Sequence, residues 1–300
     1  MSINYKKSSL LILIILGICW SSFAAFTKIA SEINPLLIVF WRVLIGAFAL
    51  YIIFAIIKQQ QINWLLIKNS SSRIFIVGLI NMLIPYILFA IAAKKLDSIE
   101  LSVIDGTIPF FEVLTAMIIF KKKPQKEVLF GIFLAFIGII LIACNQSSVV
   151  DIGIFDFWHL FFIILLLFAT FSYAVGAIYI NRYCSDIDSF TLSFGSSILI
   201  LPILLPILFF VDFAMINKQQ WLAIFGLGII CTGLANFFYF KLITEEGSRF
   251  ATTSVLLIPI FGTLIGYFFL DESLDVFKII GSILILLSIK FILQIKFSNF

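Results

Sequence analysis

The chain has 300 residues, of which 62% are hydrophobic and only 12% charged, and its mean hydropathy is +1.19. Soluble domains carry about 25% charged residues. Half that share cannot cover a globule of this size, so a soluble enzyme, a disordered chain and a disulfide scaffold are excluded. The net charge of +4 suits cationic loops beside an anionic leaflet. No basic patch with interleaved aromatics occurs, so no nucleic-acid partner is expected.

The apolar residues face lipid, and the bilayer is the first expected partner. Lys6 and Lys7 precede an apolar run that starts at Leu10 and continues to about Ile29. It is long enough to span the membrane rather than only to target the chain. Apolar runs of this kind recur, and the expected helices cover 8–29, 35–57, 73–93, 100–120, 127–144, 158–180, 190–211, 221–243, 249–270 and 276–297. They are continuously apolar and lack the period-two alternation of a membrane barrel. An all-α integral membrane fold with ten transmembrane helices follows. Cys19, Cys144, Cys184 and Cys231 lie in or beside four different apolar segments without CxxC spacing, so they read as packing residues and no metal site is expected.

Basic residues orient such a chain. With the N-terminus in the cytoplasm, 14 of the 20 Lys and Arg fall on the cytoplasmic side, 5 fall outside, and Arg42 lies within the second helix. Both termini are expected in the cytoplasm of a bacterial inner (plasma) membrane. Lys121, Lys122 and Lys123 are the strongest anchor, and the 145–157 linker, which has no Lys or Arg, is expected outside.

The two halves align at a constant offset of 150. Gly78 falls on Gly228, Ser98 on Ser248, Pro109 on Pro259, Phe111 on Phe261 and Gly131 on Gly281. Each half, 1–145 and 146–300, then holds five helices. Five is odd, so the second copy enters the membrane from the opposite side, and the copies are two inverted five-helix repeats. Inverted repeats are an architecture of secondary transporters.

These residues carry a family resemblance. Gly17, Trp20 and Lys28 in helix 1 are similar to the "WGs…K" opening helix of EamA-type members of the drug/metabolite transporter superfamily. Phe40-Trp41-Arg42 in helix 2 resembles that family's "R-F" position. Helix 4 has Pro109 where helix 9 has Pro259, and the latter is followed by Asp271, Glu272, Leu274 and Gly281, which resembles the family's closing motif. One departure is Lys122, which stands in the first half where the second half has Glu272. That glutamate reads as a helix cap or brace. The resemblance spans essentially the whole chain. It implies a ten-helix basket with a central cavity, with helices 5 and 10 at the periphery or at a homodimer face. It also implies small polar metabolites as substrates, such as amino acids and their derivatives, nucleosides or cofactors.

Ionisable residues inside the hydrocarbon are costly and mark candidate sites. Asp105 and Glu112 are seven apart, two helical turns, and share one face of helix 4. Pro109 lies between them on nearly the same face and frees a backbone carbonyl, either to bind a substrate or to let the helix bend. Arg42 and Asp105 sit at similar depth and are expected to form a charge pair. Glu112, near the midplane, is expected in the cavity as a proton-exchanging or substrate-binding group. Tyr86 and Asn236 are repeat counterparts, both polar in apolar spans. Tyr239, Trp20 and Tyr173 join them as candidate lining, as does Pro259. The expected substrate-binding set is therefore Trp20, Tyr86, Asp105, Pro109, Glu112, Tyr173, Asn236, Tyr239 and Pro259. No catalytic residues and no cofactor are expected beyond proton coupling. His159 is the one histidine, and no HExxH or paired-aspartate motif supports a membrane enzyme. Nothing resembles the selectivity filter of a channel. The expected function is a secondary transporter, an exporter or exchanger, of a small polar metabolite working by alternating access.

Overall fold

The computed structural model describes residues 7–57, 61–119, 126–143, 157–211 and 216–293. The Lys121–Lys123 cluster, Cys144, the 145–156 part of the linker and both extreme termini lie outside them. The described residues are helical, with no strand among them. In chain order the apolar helices are α1 (Lys7–Ile29), α2 (Pro35–Phe54), α3 (Ser71–Ala92), α4 (Ser98–Ile119) and α5 (Lys126–Ala143). They continue with α6 (Phe157–Tyr183), α7 (Ser189–Phe209), α8 (Lys218–Glu246), α9 (Ile258–Phe269) and α10 (Val276–Leu293). Seven of them, α1 to α4 and α6 to α8, are long and apolar enough to cross a membrane, and the apolar stretches of the other three are shorter. This is a multi-pass membrane protein. Where they are described, the helix ends fall within a few residues of the expected ones, except that α9 starts at Ile258 rather than 249, the expected first part being a separate short helix, Ser248–Thr252, and a 3-10 turn, Thr253–Leu257.

Local chemistry sets these ends. Asn34 caps α2 through the Leu36 N–H, with Pro35 at the first helical position. There the missing N–H costs nothing. Asp97 and Glu100 form a reciprocal capping box at the start of α4, and Asn217 and Gln220 form another at α8. A short helix, Trp64–Asn69, capped by Asn63, precedes α3.

The helices are not continuous where the sequence suggested they would be. α4 stops at Asp105, turns through Gly106 and Thr107, and restarts at Ile108. Pro109 supplies no N–H to bridge that gap. The approach to α9 repeats the pattern: a short helix Ser248–Thr252 and a 3-10 turn Thr253–Leu257 lead to Ile258 and Pro259. The helical starts Ser98 and Ser248, and Ile108 and Ile258, are each 150 residues apart. π-Helical turns occupy Leu79–Leu83 in α3 and Leu227–Leu234 in α8. The Ser172 hydroxyl of α6 donates to the Ile80 carbonyl in the first of these, at 2.7 Å.

Packing runs between the two halves of the chain. α2 lies on the π-turn of α8, α3 on α6, α5 on α10, and the first segment of α4 on α9. At the α2–α8 crossing a Cβ on Gly46 would come within 2.9 Å of the Gly228 carbonyl oxygen, so a side chain there would force the helices apart. Small residues permit this kind of approach in membrane proteins.

Two polar clusters tie the halves at different places. In one, Lys278 pairs with Asp97, and His159 Nε2 lies 3.1 Å from Glu100 Oε1. Glu272 accepts from the Ser98 N–H at 2.7 Å, the Ser98 hydroxyl at 2.8 Å and the Ile99 N–H at 3.1 Å. It thus caps α4 from the far half, which is the bracing role expected of it. Burial, and then the charge of Asp97, raise the Glu272 carboxyl above its ordinary range. In the other cluster Arg73 forks onto Asp186 at 2.7 and 2.9 Å; separately, the Ser9 hydroxyl of α1 donates to Glu246 of α8 at 2.6 Å. The Arg73 hydrogen bond holds Asp186 below the usual carboxylate range.

Candidate functional site

The interruptions in α3, α4 and α8 surround one cavity. It encloses about 450 Å³ of space between atoms, part of it open to solvent. Trp20, Arg42, Tyr86, Asp105, Tyr173, Asn236 and Tyr239 line it. The sequence had singled out all seven, and they come from α1, α2, α3, α4, α6 and α8.

Arg42 is 3% exposed. Its Nε donates to the Thr232 hydroxyl of the α8 π-turn at 3.0 Å. Its guanidinium lies over the Tyr86 ring, 3.5 Å from the centroid, a cation–π contact that strengthens when desolvated. The Tyr86 hydroxyl accepts from Asn236 Nδ2 at 2.8 Å, so these two counterparts, 150 residues apart, meet across the cavity. The Trp20 indole donates to the Cys231 carbonyl at 3.3 Å and meets the Tyr239 ring edge-on at 4.9 Å. That bond fixes its face as wall.

Asp105 is 5% exposed, and its Oδ1 has no hydrogen-bond partner. The expected pairing with Arg42 is not made as a direct contact: both residues line the cavity, and Arg42 is held by Thr232 and Tyr86 instead. A buried polar atom without a partner carries a desolvation cost, and its position on a cavity wall makes it available to a ligand.

Pro109, Glu112 and Pro259 are not among the lining residues. Glu112 is buried and accepts from the Thr252 hydroxyl at 2.5 Å. The expectation that it shares the face of Asp105 assumed an unbroken helix. The Gly106–Thr107 turn changes the register between the two segments of α4, so a seven-residue spacing no longer means a common face. Pro259 packs on that turn: a Cβ on Gly106 would come within 2.5 Å of its Cγ. Both prolines therefore sit at helix interruptions that shape the site from behind.

Five lining residues were absent from the expected set: Phe23, Asn81, Ile108, Cys231 and Val255. Asn81 matters most. It is 3% exposed, lies in the π-turn of α3, and its Nδ2 has no partner. An amide alone in the apolar run of α3 was a readable signal by the same reasoning that picked out Asn236.

Comparison with known proteins agrees with this architecture. The EamA-like transporter family matches residues 7–144 and again residues 160–294. An uncharacterized transporter of Archaeoglobus fulgidus is 25% identical over 288 residues, covering 94% of this chain and 95% of its own. The uncharacterized transporter YyaM of Bacillus subtilis is 26% identical over 260 residues, covering 83% and 81%. A protein of known crystal structure, 16% identical, superposes with a TM-score of 0.68 over 96% of each chain. That last likeness concerns the fold alone.

Proposed function

We infer the function from one premise, that the chain belongs to the EamA-like transporter family: it is a secondary transporter, an exporter or exchanger, that moves a small polar metabolite such as an amino acid or derivative by alternating access. The observation that carries this reading is the central cavity, built from both halves of the chain, with an unpartnered carboxylate on its wall. A membrane-embedded site that binds and releases a polar solute needs such groups, and lipid packing alone does not.

The architecture in this reading is ten transmembrane helices arranged as inverted repeats, residues 1–145 and 146–300. Contacts between counterparts support it. Under a twofold relation, if one residue touches the counterpart of a second, the second touches the counterpart of the first. Glu112 meets Thr252. Their counterparts at offset 150 are Gly262 and Ser102, where a Cβ on Gly262 would fall 2.5 Å from the Ser102 Cβ. Tyr86 meeting Asn236 fits a position near the axis. Alternating access then consists of exchanging the two conformations between the halves. The Asp97–Lys278 and Arg73–Asp186 clusters are the ties that yield in turn. In this reading the Asp97 cluster faces outward and the termini are cytoplasmic, in keeping with the basic-residue count, in a bacterial inner membrane.

Counterflow in proteoliposomes tests the function. Vesicles holding purified protein and a pool of unlabelled polar metabolites are given labelled ones outside. A transporter takes up at least one label faster when its unlabelled form is inside, and returns it chemically unchanged. Conversion of the solute would identify a membrane enzyme. Flux indifferent to the solute on the far side would identify a channel.

A further inference from the structure

We propose that the cavity selects a net-neutral zwitterion with an apolar body, its ammonium on Asp105 and its anionic end on Arg42. This deepens the transport reading above and rests on it. The wall carries the carboxyl of Asp105 and the guanidinium of Arg42, both nearly fully buried, and among the described residues no salt bridge joins them. The Oδ1 atom of Asp105 has no hydrogen-bond partner. Arg42 is held by Thr232 through its Nε and by the Tyr86 ring beneath its guanidinium. A direct pair would have closed the site. Held apart, the two charges present a dipole to whatever enters.

Charge then decides the ligand class. In a cavity removed from water an uncompensated charge is expensive. A simple amine would satisfy Asp105 and leave Arg42 in excess. A simple carboxylate would do the reverse. Only a molecule carrying both groups leaves each charge matched. Asn81 Nδ2, buried and without a partner, adds a donor for an oxygen of the anionic end or of the ligand body. The remaining wall is apolar: Trp20, Phe23, Ile108, Tyr239 and Val255. It favours an uncharged hydrocarbon or aromatic body over a second charged group.

The test uses the full-length protein in detergent or nanodiscs and three matched probes. Leucine carries both charges, isoamylamine only the cation, and isocaproate only the anion. Stabilisation on heating and calorimetry report binding. In the wild type, leucine should bind at least about tenfold more tightly than either single-charge probe. Asp105→Asn leaves the cavity cationic, so leucine should weaken about tenfold or more and isocaproate should gain. Arg42→Gln leaves it anionic, and preference should pass to isoamylamine. Arg42→Lys keeps the charge and should keep the preference for leucine, which controls for the packing that Arg42 supplies on Tyr86. Equal binding of all three probes by the wild type would overturn the proposal. So would an unchanged ranking in folded Asp105→Asn. Binding of leucine without transport would remove the transport reading and leave the selectivity standing. Counterflow of another solute with no binding of leucine would do the opposite.

Discussion

At the scale of the residue, what distinguishes Asp105 from Glu112 is the two-residue break between them. Both are buried carboxyls on the same helix in sequence terms. Asp105 ends one segment and meets the cavity with no partner, whereas Glu112 is two turns on and bonded to Thr252. Their roles are accordingly separable. Glu112→Gln should weaken zwitterion binding less than Asp105→Asn does, while slowing counterflow because the Thr252 hydroxyl then meets a neutral amide oxygen in place of a carboxylate. Calorimetry beside counterflow on the same preparation checks this. A collapse of affinity in Glu112→Gln would return that carboxyl to the binding site. The sequence made both residues visible because charge in an apolar run is rare. It could not rank them, because Gly106 and Pro109 weaken the helix there without saying how the second segment is turned relative to the first, which only the packing of Pro259 on the turn reveals. Asn81 was visible in the same way and was passed over.

Among the elements, the helices themselves were legible and their distortions were not. A run of about 20 apolar residues can satisfy its backbone in lipid only as a helix, so length and hydropathy were sufficient. The π-turns of α3 and α8 have no residue signature; they appear where Ser172 captures the Ile80 carbonyl and where Gly228 and Gly233 let α2 approach. Glu272 was readable as a cap, but its target, the start of α4, is 174 residues away and only packing reveals it. That cap carries a pH dependence. Because burial raises the Glu272 carboxyl, the folded protein holds this proton more tightly than the unfolded chain. Stability from this group is greatest below the ordinary carboxyl value of 4.5 and declines as pH rises through the elevated folded value. Thermal unfolding of wild type and Glu272→Gln across pH 4 to about 8 should show that decline in the wild type and its absence in the variant. Parallel profiles would deny Glu272 the role.

For the whole molecule, the two polar clusters differ in character. Lys278 and Glu100 are 3% and 4% exposed, whereas Arg73 and Asp186 are 35% and 58% exposed. Exposed ion pairs contribute about 0–1 kcal/mol, so the Arg73 cluster is the easier to release, and the Asp97 cluster is the firmer closure in this conformation. The proposed repeat is read from rare glycines, serines and prolines in register. Its consequence for contacts, with Ser102 against Gly262 mirroring Thr252 against Glu112, needed the structure. Alternation of the two closures is the central claim. The most direct test measures distances between spin labels in nanodiscs, at Lys95 and Ser273 beside the Asp97 cluster and at Lys7 and Glu245 beside Ser9 and Glu246. Alternating access predicts a short and a long population for each pair, with substrate or exchange conditions shifting the two pairs in opposite directions. A single unchanging distance at both ends, or both ends lengthening together as in an open pore, would contradict it.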